Sequence, residues 1–285
     1  MDWLSRQFPT RVIALMPVAI AINIVLGATV QQALKLPIYL DSIGTILVGV
    51  LAGPIAGMLT GALANLIWGY LLPAPVGTTT IAPFAITAAV IGLLAGLWGR
   101  MGLFRARTGD PARASVGALG ALVLVGLLAF YTYGRAYAST AAFNANVSGN
   151  AAITFDQSRI FFLFVMVVFL ALIGWALVLR RDVGAVFAVA AGLITGIVAA
   201  IVSAPIAAVV FGGVTGSGVD ALVAAFRAGG DSLYSATLKQ GLLSDPLDKM
   251  ITSFVVFFIV TSLSQRFVAR FPNGERLLQG AGATE

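Results

Sequence analysis

An aspartate at the start of an apolar segment is the first residue of this sequence that could do chemistry. It lies in KLPIYLDSIGTIL, residues 35–47, where Asp41 precedes a long apolar run. A carboxylate in this position can accept hydrogen bonds from the free amides of a helix N-terminus and favour the helix dipole. It can equally offer an oxygen to a ligand at the opening of a cavity. Both interpretations stay open, and one side chain can serve both.

A second charged cluster, SDPLDKM at residues 244–250, precedes the last apolar segment. Pro246 suits the first turn of a helix, with Asp245 as its cap. Asp248 and Lys249 are adjacent, and adjacent side chains do not face one another on a helix. We therefore expect one or both to find a partner on a neighbouring helix or on a ligand, and we favour a structural ion pair.

Amide and aromatic side chains inside the apolar segments complete the set of candidates. A buried amide in lipid needs a partner across helices or on a ligand. Asn65 and Trp68 are three residues apart and share a helix face, which predicts one wall of a pocket. A belt of aromatic residues at the membrane interface and plain loop polarity are the competing interpretations. The candidate substrate-binding residues are Asn23, Gln31, Tyr39, Asp41, Asn65, Trp68, Thr79, Asp245, Asp248 and Lys249.

The composition identifies the elements that must position these residues. Of 285 residues, 59% are hydrophobic and only 10% are charged, whereas soluble domains carry about 25% charged residues. Several apolar runs approach the roughly 20 residues that a spanning helix needs. The sequence predicts an all-α integral membrane protein with one membrane domain, 1–285. About eight transmembrane segments are expected, at 11–34, 40–52, 54–72, 80–99, 115–138, 158–179, 184–212 and 247–268.

The boundaries and charges of these segments predict a topology. Gly53-Pro54 separates the second and third segments into a tight helical hairpin, because proline breaks a helix. Most of the 17 Lys and Arg residues fall on one predicted side, and RMGLFRARTGDPAR at 100–113 is its strongest marker. Both termini are therefore predicted to be cytoplasmic, in the plasma membrane of a prokaryote. Two long outer loops, 139–157 and 213–246, are expected to act as lids, the second through short amphipathic helices.

Several kinds of chemistry are excluded by the residues that the sequence lacks. Without Cys or His, no thiolate or imidazole metal site and no nucleophile–histidine pair can form. No GxxxxGK[ST] motif is present, so the chain binds no ATP through a P-loop of its own. GVTGSG at 213–218 follows an apolar helix and precedes no strand, and it is rejected as a phosphate loop. We expect no enzyme activity, no cofactor, no metal and no nucleic-acid partner.

Small residues recur at every fourth position in four of the segments, including the one at 80–99. Gly49, Gly53, Gly57 and Gly61 form one such ladder, and the segment at 184–212 repeats the pattern. Small residues at this spacing let helix backbones approach closely. Internal packing within one subunit is the favoured interpretation, and contact with a partner membrane protein is the alternative.

Longer strings resemble a known transporter family. AINIVLG, LKLPIYLDSIGTILVGVLAGPIAGMLTGALANLIWG and APFAITAAVIGLLAGL, with SAPIAAVVFGGVTGSG and GLLSDPLDKMI nearer the C-terminus, resemble the substrate-binding S component of energy-coupling factor (ECF) transporters. The resemblance implies a helical bundle that captures a vitamin or related micronutrient near the outer leaflet. It also implies docking on a transmembrane coupling protein driven by two cytoplasmic ATPases, with toppling in the membrane to release the cargo.

The resemblance further implies roles for particular residues. The loop 35–41 would close the binding site, with Asp41 at the hinge of this gate. Many members carry an AxxxA docking motif on their first helix. One matching register here contains Pro17 and Ala21, and another contains Ala19, Asn23 and Gly27; the candidates are Pro17, Ala21 and Gly27. Many members are also shorter and have fewer helices. The alternatives are a solitary carrier or channel without ATPases and a membrane domain that senses a small molecule.

Overall fold

Helices account for all the regular structure in the described part of the chain. The computed structural model describes residues 8–107, 111–138, 140, 143–144, 154–178 and 182–279. In chain order the α-helices are α1 (Thr10–Gly27), α2 (Ile43–Ala52), α3 (Pro54–Tyr70), α4 (Ala85–Arg100), α5 (Pro111–Ala136), α6 (Phe155–Val178), α7 (Gly184–Phe211), α8 (Asp220–Ala228), α9 (Leu233–Ser262), α10 (Gln265–Val268) and α11 (Gly274–Leu278). A π-helical turn, Ala28–Ala33, continues α1, and a 3₁₀ turn, Thr79–Phe84, leads into α4.

The length and apolarity of the helices confirm a helical membrane protein. Within the described residues, 5 helical stretches are long and apolar enough to cross a bilayer. They are Thr10–Ala33, Thr79–Arg100, Leu119–Ala136, Phe155–Ala176 and Gly184–Phe211. The count of eight segments stays a prediction, because α2 is short and α9 carries charged residues in its first half.

The predicted hairpin between the second and third segments is confirmed. α2 ends at Ala52 and α3 begins at Pro54, with Gly53 between them at a φ of 104°. Only glycine adopts this left-handed conformation without a steric penalty. Proline then occupies the first turn of α3, where its missing N–H costs no helical hydrogen bond.

Glycines of the ladder bring α3 and α4 into direct backbone contact. A Cβ added at Gly57 would lie 2.4 Å from the carbonyl oxygen of Gly92, and one added at Gly92 would lie 2.1 Å from that of Gly57. Gly96 makes the same kind of contact, because a Cβ added there would lie 2.2 Å from the backbone nitrogen of Pro54. The ladder therefore serves internal packing here, as the favoured interpretation predicted.

The last long helix corrects the predicted boundary of the final segment. α9 runs from Leu233 to Ser262, so much of the predicted outer loop 213–246 is helical. Pro246 lies inside α9 and not in its first turn, and Asp245 does not cap the helix. The N-cap is Ser232, whose side chain accepts a hydrogen bond from the amide of Ser235. α7 supports the proline turn closely, because a Cβ at Gly196 would lie 2.4 Å from the Cα of Pro246.

One end of the bundle is rich in arginine and is covered by the C-terminal segment. Asn273 donates from its backbone and its side chain to the carbonyls of Leu51 and Val50, both at 3.0 Å, at the C-terminus of α2. Arg276 donates to the carbonyl of Arg100 at 3.3 Å. Residues from the predicted inner side thus gather at this end, opposite the loop 34–42.

α5 and α6 pack at the side of the bundle and hold the loop 34–42 from outside. The hydroxyls of Tyr137 and Ser158 lie 2.9 Å apart, and Ser158 donates to the carbonyl of Lys35 at 3.0 Å. Aromatic rings surround this contact, including Phe155 and Phe162. Most of the predicted outer loop 139–157 lies outside the described residues.

Candidate functional site

The end of the bundle opposite the arginines contains a cavity of about 820 Å³. Its volume suits a small organic molecule, since ligand pockets usually enclose about 300–1,000 Å³. The walls come from the π-helical turn, the loop 34–42, the loop 71–78, the starts of α2 and α4, and the cavity-facing parts of α7 and α9. Six of the predicted binding residues line it, namely Gln31, Tyr39, Asp41, Asn65, Asp245 and Lys249.

The π-helical turn and the loop after it form one wall. π-turns inside helices are often found at functional sites, and this one places Gln31 so that it donates to Asp41 at 2.9 Å. In the loop, Lys35 and Leu40 have φ values of 49° and 54°. This left-handed conformation costs a non-glycine residue of the order of 1–2 kcal/mol. The loop is therefore held by contacts outside itself.

Asp248 makes the main contact that holds the loop 34–42 from outside. Its carboxylate accepts hydrogen bonds from the amides of Leu40 at 2.6 Å and Tyr39 at 3.2 Å. It also accepts a short hydrogen bond from Lys249. The side chain is completely buried and does not line the cavity. Asp248 therefore anchors the loop and is not placed to touch a ligand.

The expectation that Asp248 and Lys249 do not face one another is wrong. The flexible stem of the lysine folds its ammonium group back onto the preceding carboxylate, while both side chains lie on the face of α9 next to the loop. The expected partners elsewhere are also present. The Lys249 ammonium lies 3.8 Å from a carboxylate oxygen of Asp41 and 5.7 Å from the centre of the Tyr39 ring.

Asp41 faces this charged cluster and does not cap a helix. α2 begins after Ser42, and no side chain at its N-cap position makes a capping hydrogen bond. Asn23 of α1 takes that role from outside, because its amide oxygen accepts from the amide of Gly44 at 2.7 Å. Its amide nitrogen donates to the hydroxyl of Thr45 at 2.7 Å. Asn23 is thus satisfied structurally and does not line the cavity.

Asp245 is the least satisfied carboxylate of the cluster. Among the described residues, it accepts a hydrogen bond only from the Ser203 hydroxyl, at 3.3 Å. It interacts electrostatically with Lys249, Asp248 and Asp41. Only 5% of the residue is exposed. A ligand in the cavity could therefore meet a buried carboxylate with free hydrogen-bonding capacity.

Three uncharged polar groups in the walls also lack partners. The hydroxyls of Ser42 and Thr87 are buried and make no hydrogen bond in the described structure. Asn65, on α3, also shows no side-chain hydrogen bond within the described residues. An unpaired buried polar group costs about 1–3 kcal/mol. Sequence inspection found Asn65 but missed Ser42 and Thr87, since one hydroxyl among many in a loop or helix carries no distinctive signal.

Two further predicted site residues do not line the cavity. Trp68 is buried among Ile20, Ile24 and Ala64, and its indole donates to the carbonyl of Val76 at 2.7 Å. Trp68 therefore supports the loop 71–78, and the pocket wall predicted for it is wrong. Thr79 does not line the cavity, whereas its neighbours Thr78 and Thr80 do.

The three predicted docking residues differ in exposure. Pro17 and Ala21 are exposed on α1. Gly27 is buried, and a Cβ there would lie 2.5 Å from the Trp68 ring. Gly27 therefore serves internal packing, while Pro17 and Ala21 remain accessible at the surface of the described structure.

The glycine-rich loop 213–219 closes the cavity near Lys35, a contact that the sequence did not predict. Asp220 accepts hydrogen bonds from the amide and hydroxyl of Thr215 and from the amide of Gly216, at 2.7–3.1 Å. Lys35 donates to the carbonyl of Gly216 at 2.6 Å. Because the Gly216 amide is already used, the loop does not offer it to a phosphate. The aspartate after GVTGSGV is a local signal that could have indicated this closed turn.

Burial shifts the pKa of both charged groups at this loop. It raises the pKa of Asp220 to about 6, against the opposing hydrogen bonds from Thr215 and Gly216 and the charge of Lys35. It also lowers the pKa of Lys35, and the nearby Asp220 charge opposes that change. The two groups are therefore a partly desolvated pair that fastens the loop 213–219 to the loop 34–42.

Comparisons with known proteins give no relative from which a function could be inferred. No family model, no curated protein and no solved structure matches the chain. The chemistry of the site must therefore be inferred from its own residues, which are suited to reversible binding through hydrogen bonds and charge.

Proposed function

We propose that this protein is the substrate-binding S component of an ECF-type importer and captures a vitamin-like micronutrient. The observation that carries the proposal is the cavity of about 820 Å³. It combines buried carboxylates, unpartnered polar groups and apolar walls, as expected of a site that binds a small molecule through a few convergent polar groups. The strings that resemble S components supply the residues of this site, including Asp41 and Lys249.

The proposed topology has about eight transmembrane segments, with both termini in the cytoplasm of a prokaryotic cell. Its support is the separation of charge along the bundle. The arginine-rich end includes Arg11, Arg100, Arg270 and Arg276, where the side chains of Arg11 and Arg276 donate to the backbone carbonyls of Arg270 and Arg100. An excess of positive charge favours the cytoplasmic side. The cavity would then open towards the outside.

Access to the cavity would be controlled by the loops 34–42 and 213–219. Both lie against the cavity, and they meet through Lys35 and Gly216. The first loop holds two non-glycine residues in left-handed conformations. Such strained segments persist only where surrounding contacts hold them, so their release could accompany opening.

Uptake would require partners, because the sequence contains no ATP-binding motif of its own. We propose a transmembrane coupling protein and two ATPases, with membrane lipids around the bundle. The exposed small side chain of Ala21, beside Pro17, offers a surface that a partner helix could approach. A solitary carrier or a sensing domain would need no such surface.

Affinity purification from the native membrane tests this proposal. The protein carries a C-terminal tag, is extracted gently, and its partners and bound small molecules are identified by mass spectrometry. We expect one further membrane protein, two ATPases and a small molecule. Recovery of the protein with a small molecule but without these partners would contradict the S-component assignment and favour a solitary carrier.

A pair of variants tests the proposed docking surface. Ala21→Trp should reduce recovery of the coupling proteins, because the bulky ring blocks close approach. Val123→Trp, exposed on α5, is the control and should recover them as the wild type does. Both variants should retain the small molecule, since neither position lines the cavity.

A further inference from the structure

We propose that the ligand of the cavity carries a positively charged nitrogen, bound by Asp245 together with Asp41. This inference rests on the function proposed above and specifies the class of substrate. It follows from how far each charged side chain that lines the cavity is already balanced by its neighbours. Those side chains, within the described residues, are Lys35, Asp41, Asp220, Asp245 and Lys249.

One cation and one anion lie near each other at the loop 213–219 and offset each other's charge. Lys35 donates to the carbonyl of Gly216 and lies in the field of Asp220. Asp220 in turn accepts hydrogen bonds from Thr215 and Gly216 through both carboxylate oxygens. Because each group lies in the field of the other, neither contributes an unbalanced charge to the cavity.

The other cation that lines the cavity, Lys249, is ion-paired. Only 2% of the Lys249 side chain is exposed, and its closest partner is the carboxylate of Asp248, which does not line the cavity. Asp41 lies farther from the ammonium, at 3.8 Å, and its other oxygen accepts from Gln31 at 2.9 Å. The positive charge of Lys249 is therefore largely balanced before a ligand arrives.

Asp41 and Asp245 are left with a shared excess of negative charge. Both interact with the single ammonium of Lys249. Asp245 has one hydrogen bond in the described structure, a 3.3 Å contact from Ser203. Burying a carboxylate without a counter-charge is costly, so a cationic group placed between the two side chains would gain from both. An anionic ligand would instead meet two like charges.

The other groups that line the cavity indicate which uncharged polar and apolar parts the ligand has. The buried hydroxyls of Ser42 and Thr87 can each donate or accept one hydrogen bond. Ile81, Phe84 and Ile91 line the cavity as an apolar surface. These features fit a small molecule with an apolar or aromatic body, one or two uncharged polar groups, and an ammonium, an amidinium or a quaternised ring nitrogen.

Three probes of one shape and different charge test the inference. Benzamidine is cationic, benzamide is neutral and benzoate is anionic at neutral pH. Their binding is measured by calorimetry on the intact, detergent-solubilised protein, and the charge of any molecule that co-purifies is determined by mass spectrometry. We expect benzamidine to bind about ten- to a hundredfold tighter than benzamide, as for hydrogen bonds to a charged group. Benzoate should bind most weakly, and the co-purifying molecule should be a cation.

Two aspartate variants assign the preference to the cavity. Asp245→Asn should bring benzamidine and benzamide to similar affinity. Asp231→Asn removes the same charge at an exposed site, where Asp231 pairs with Lys239, and should leave the preference unchanged. If Asp245→Asn does not give folded protein, Asp41→Asn takes its place, and the wild-type comparison still decides.

The outcomes separate this inference from the proposed function. Tighter binding of benzamide or benzoate, or a neutral or anionic co-purifying molecule, would overturn the inference and leave small-molecule capture standing. A preference for benzamidine that survives both Asp245→Asn and Asp41→Asn would also overturn it. If no probe binds and no small molecule co-purifies, both the inference and the proposed function are rejected.

Discussion

Near the middle of α3 and α4 glycines line the backbone contact between the two helices, whereas near the cavity the same helices carry polar side chains. At the contact, Gly57 and Gly92 leave no room for even a methyl group. Near the cavity, Asn65 and Thr87 leave polar groups without partners in the described structure. The difference indicates that tight packing in one region holds an incompletely satisfied binding site in the other.

Removing the carboxylate of Asp248, which anchors the loop 34–42, should have the largest effect on stability. Asp248→Asn removes the charge that pairs with buried Lys249 and weakens the acceptor used by the amide of Leu40. Breaking a buried ion pair costs about 3–5 kcal/mol, so the melting temperature in detergent should fall strongly. Asp231→Asn breaks an exposed pair and should change it little. Equal melting temperatures for the two variants would contradict the anchoring role of Asp248.

The loop 213–219 should make stability depend on pH in a specific direction. Because the pKa of Asp220 is raised from 3.8 to about 6, the folded protein binds more protons than the unfolded chain between these values. The contribution of Asp220 to stability therefore decreases as the pH rises through this window and is constant above it. A shift of this size corresponds to about 3 kcal/mol.

Comparison with a neutral side chain isolates this contribution. Asp220→Asn cannot ionise, so its melting temperature relative to the wild type should increase as the pH rises from about 4 to about 6. Other titratable groups are common to both proteins and cancel in the difference. A difference that does not change with pH would show that burial does not raise the pKa of Asp220.

A single methyl group at the packed contact should be destabilising. Gly57→Ala places a Cβ 2.4 Å from the Gly92 carbonyl oxygen, and the backbones must shift to accept it. Overpacking of this kind costs about 1–3 kcal/mol. The control is Gly126→Ala on α5, where an added Cβ has nothing within 4 Å. Thermal unfolding should separate the two variants, and a stable Gly57→Ala protein would contradict the close packing.

The two intramembrane asparagines should respond in opposite ways. Asn23→Ala leaves the Gly44 amide and the Thr45 hydroxyl without their partner, which should cost about 1–2 kcal/mol of stability. Asn65→Ala removes no hydrogen bond in the described structure, so it should change stability little and weaken retention of the bound small molecule. Thermal unfolding and mass spectrometry distinguish these effects. A stable Asn23→Ala protein that loses the small molecule, or a destabilised Asn65→Ala protein that retains it, would contradict these roles.

The sequence predicted the helices better than the contacts between them. Apolar length and Gly53-Pro54 located the long apolar helices and the hairpin, because these signals are local. Pro246 was misplaced because a proline marks a helix start equally well, and its close packing against Gly196 of α7 cannot be read from the sequence. The sequence could not decide whether Asp41 caps α2. The side chain that accepts from the Gly44 amide of α2 is Asn23, which lies on another helix.

The site shows the same limit. Asp245 and Lys249 were found because charge is rare in apolar segments. Ser42 and Thr87 were missed because their lack of partners is a property of the assembled bundle. Trp68 was wrongly assigned to the cavity wall, since the shared face with Asn65 does not determine how far each side chain reaches.

Native mass spectrometry on the gently extracted protein tests the central claim, that the cavity holds a small molecule. Ala207 lines the cavity and is 8% exposed, whereas Val209, two residues away on α7, is 83% exposed and does not line it. The wild type and Val209→Trp should carry the same bound small molecule, and Ala207→Trp should lose it because the ring fills the site. Retention of the molecule by folded Ala207→Trp, or its absence from the wild type, would contradict the account.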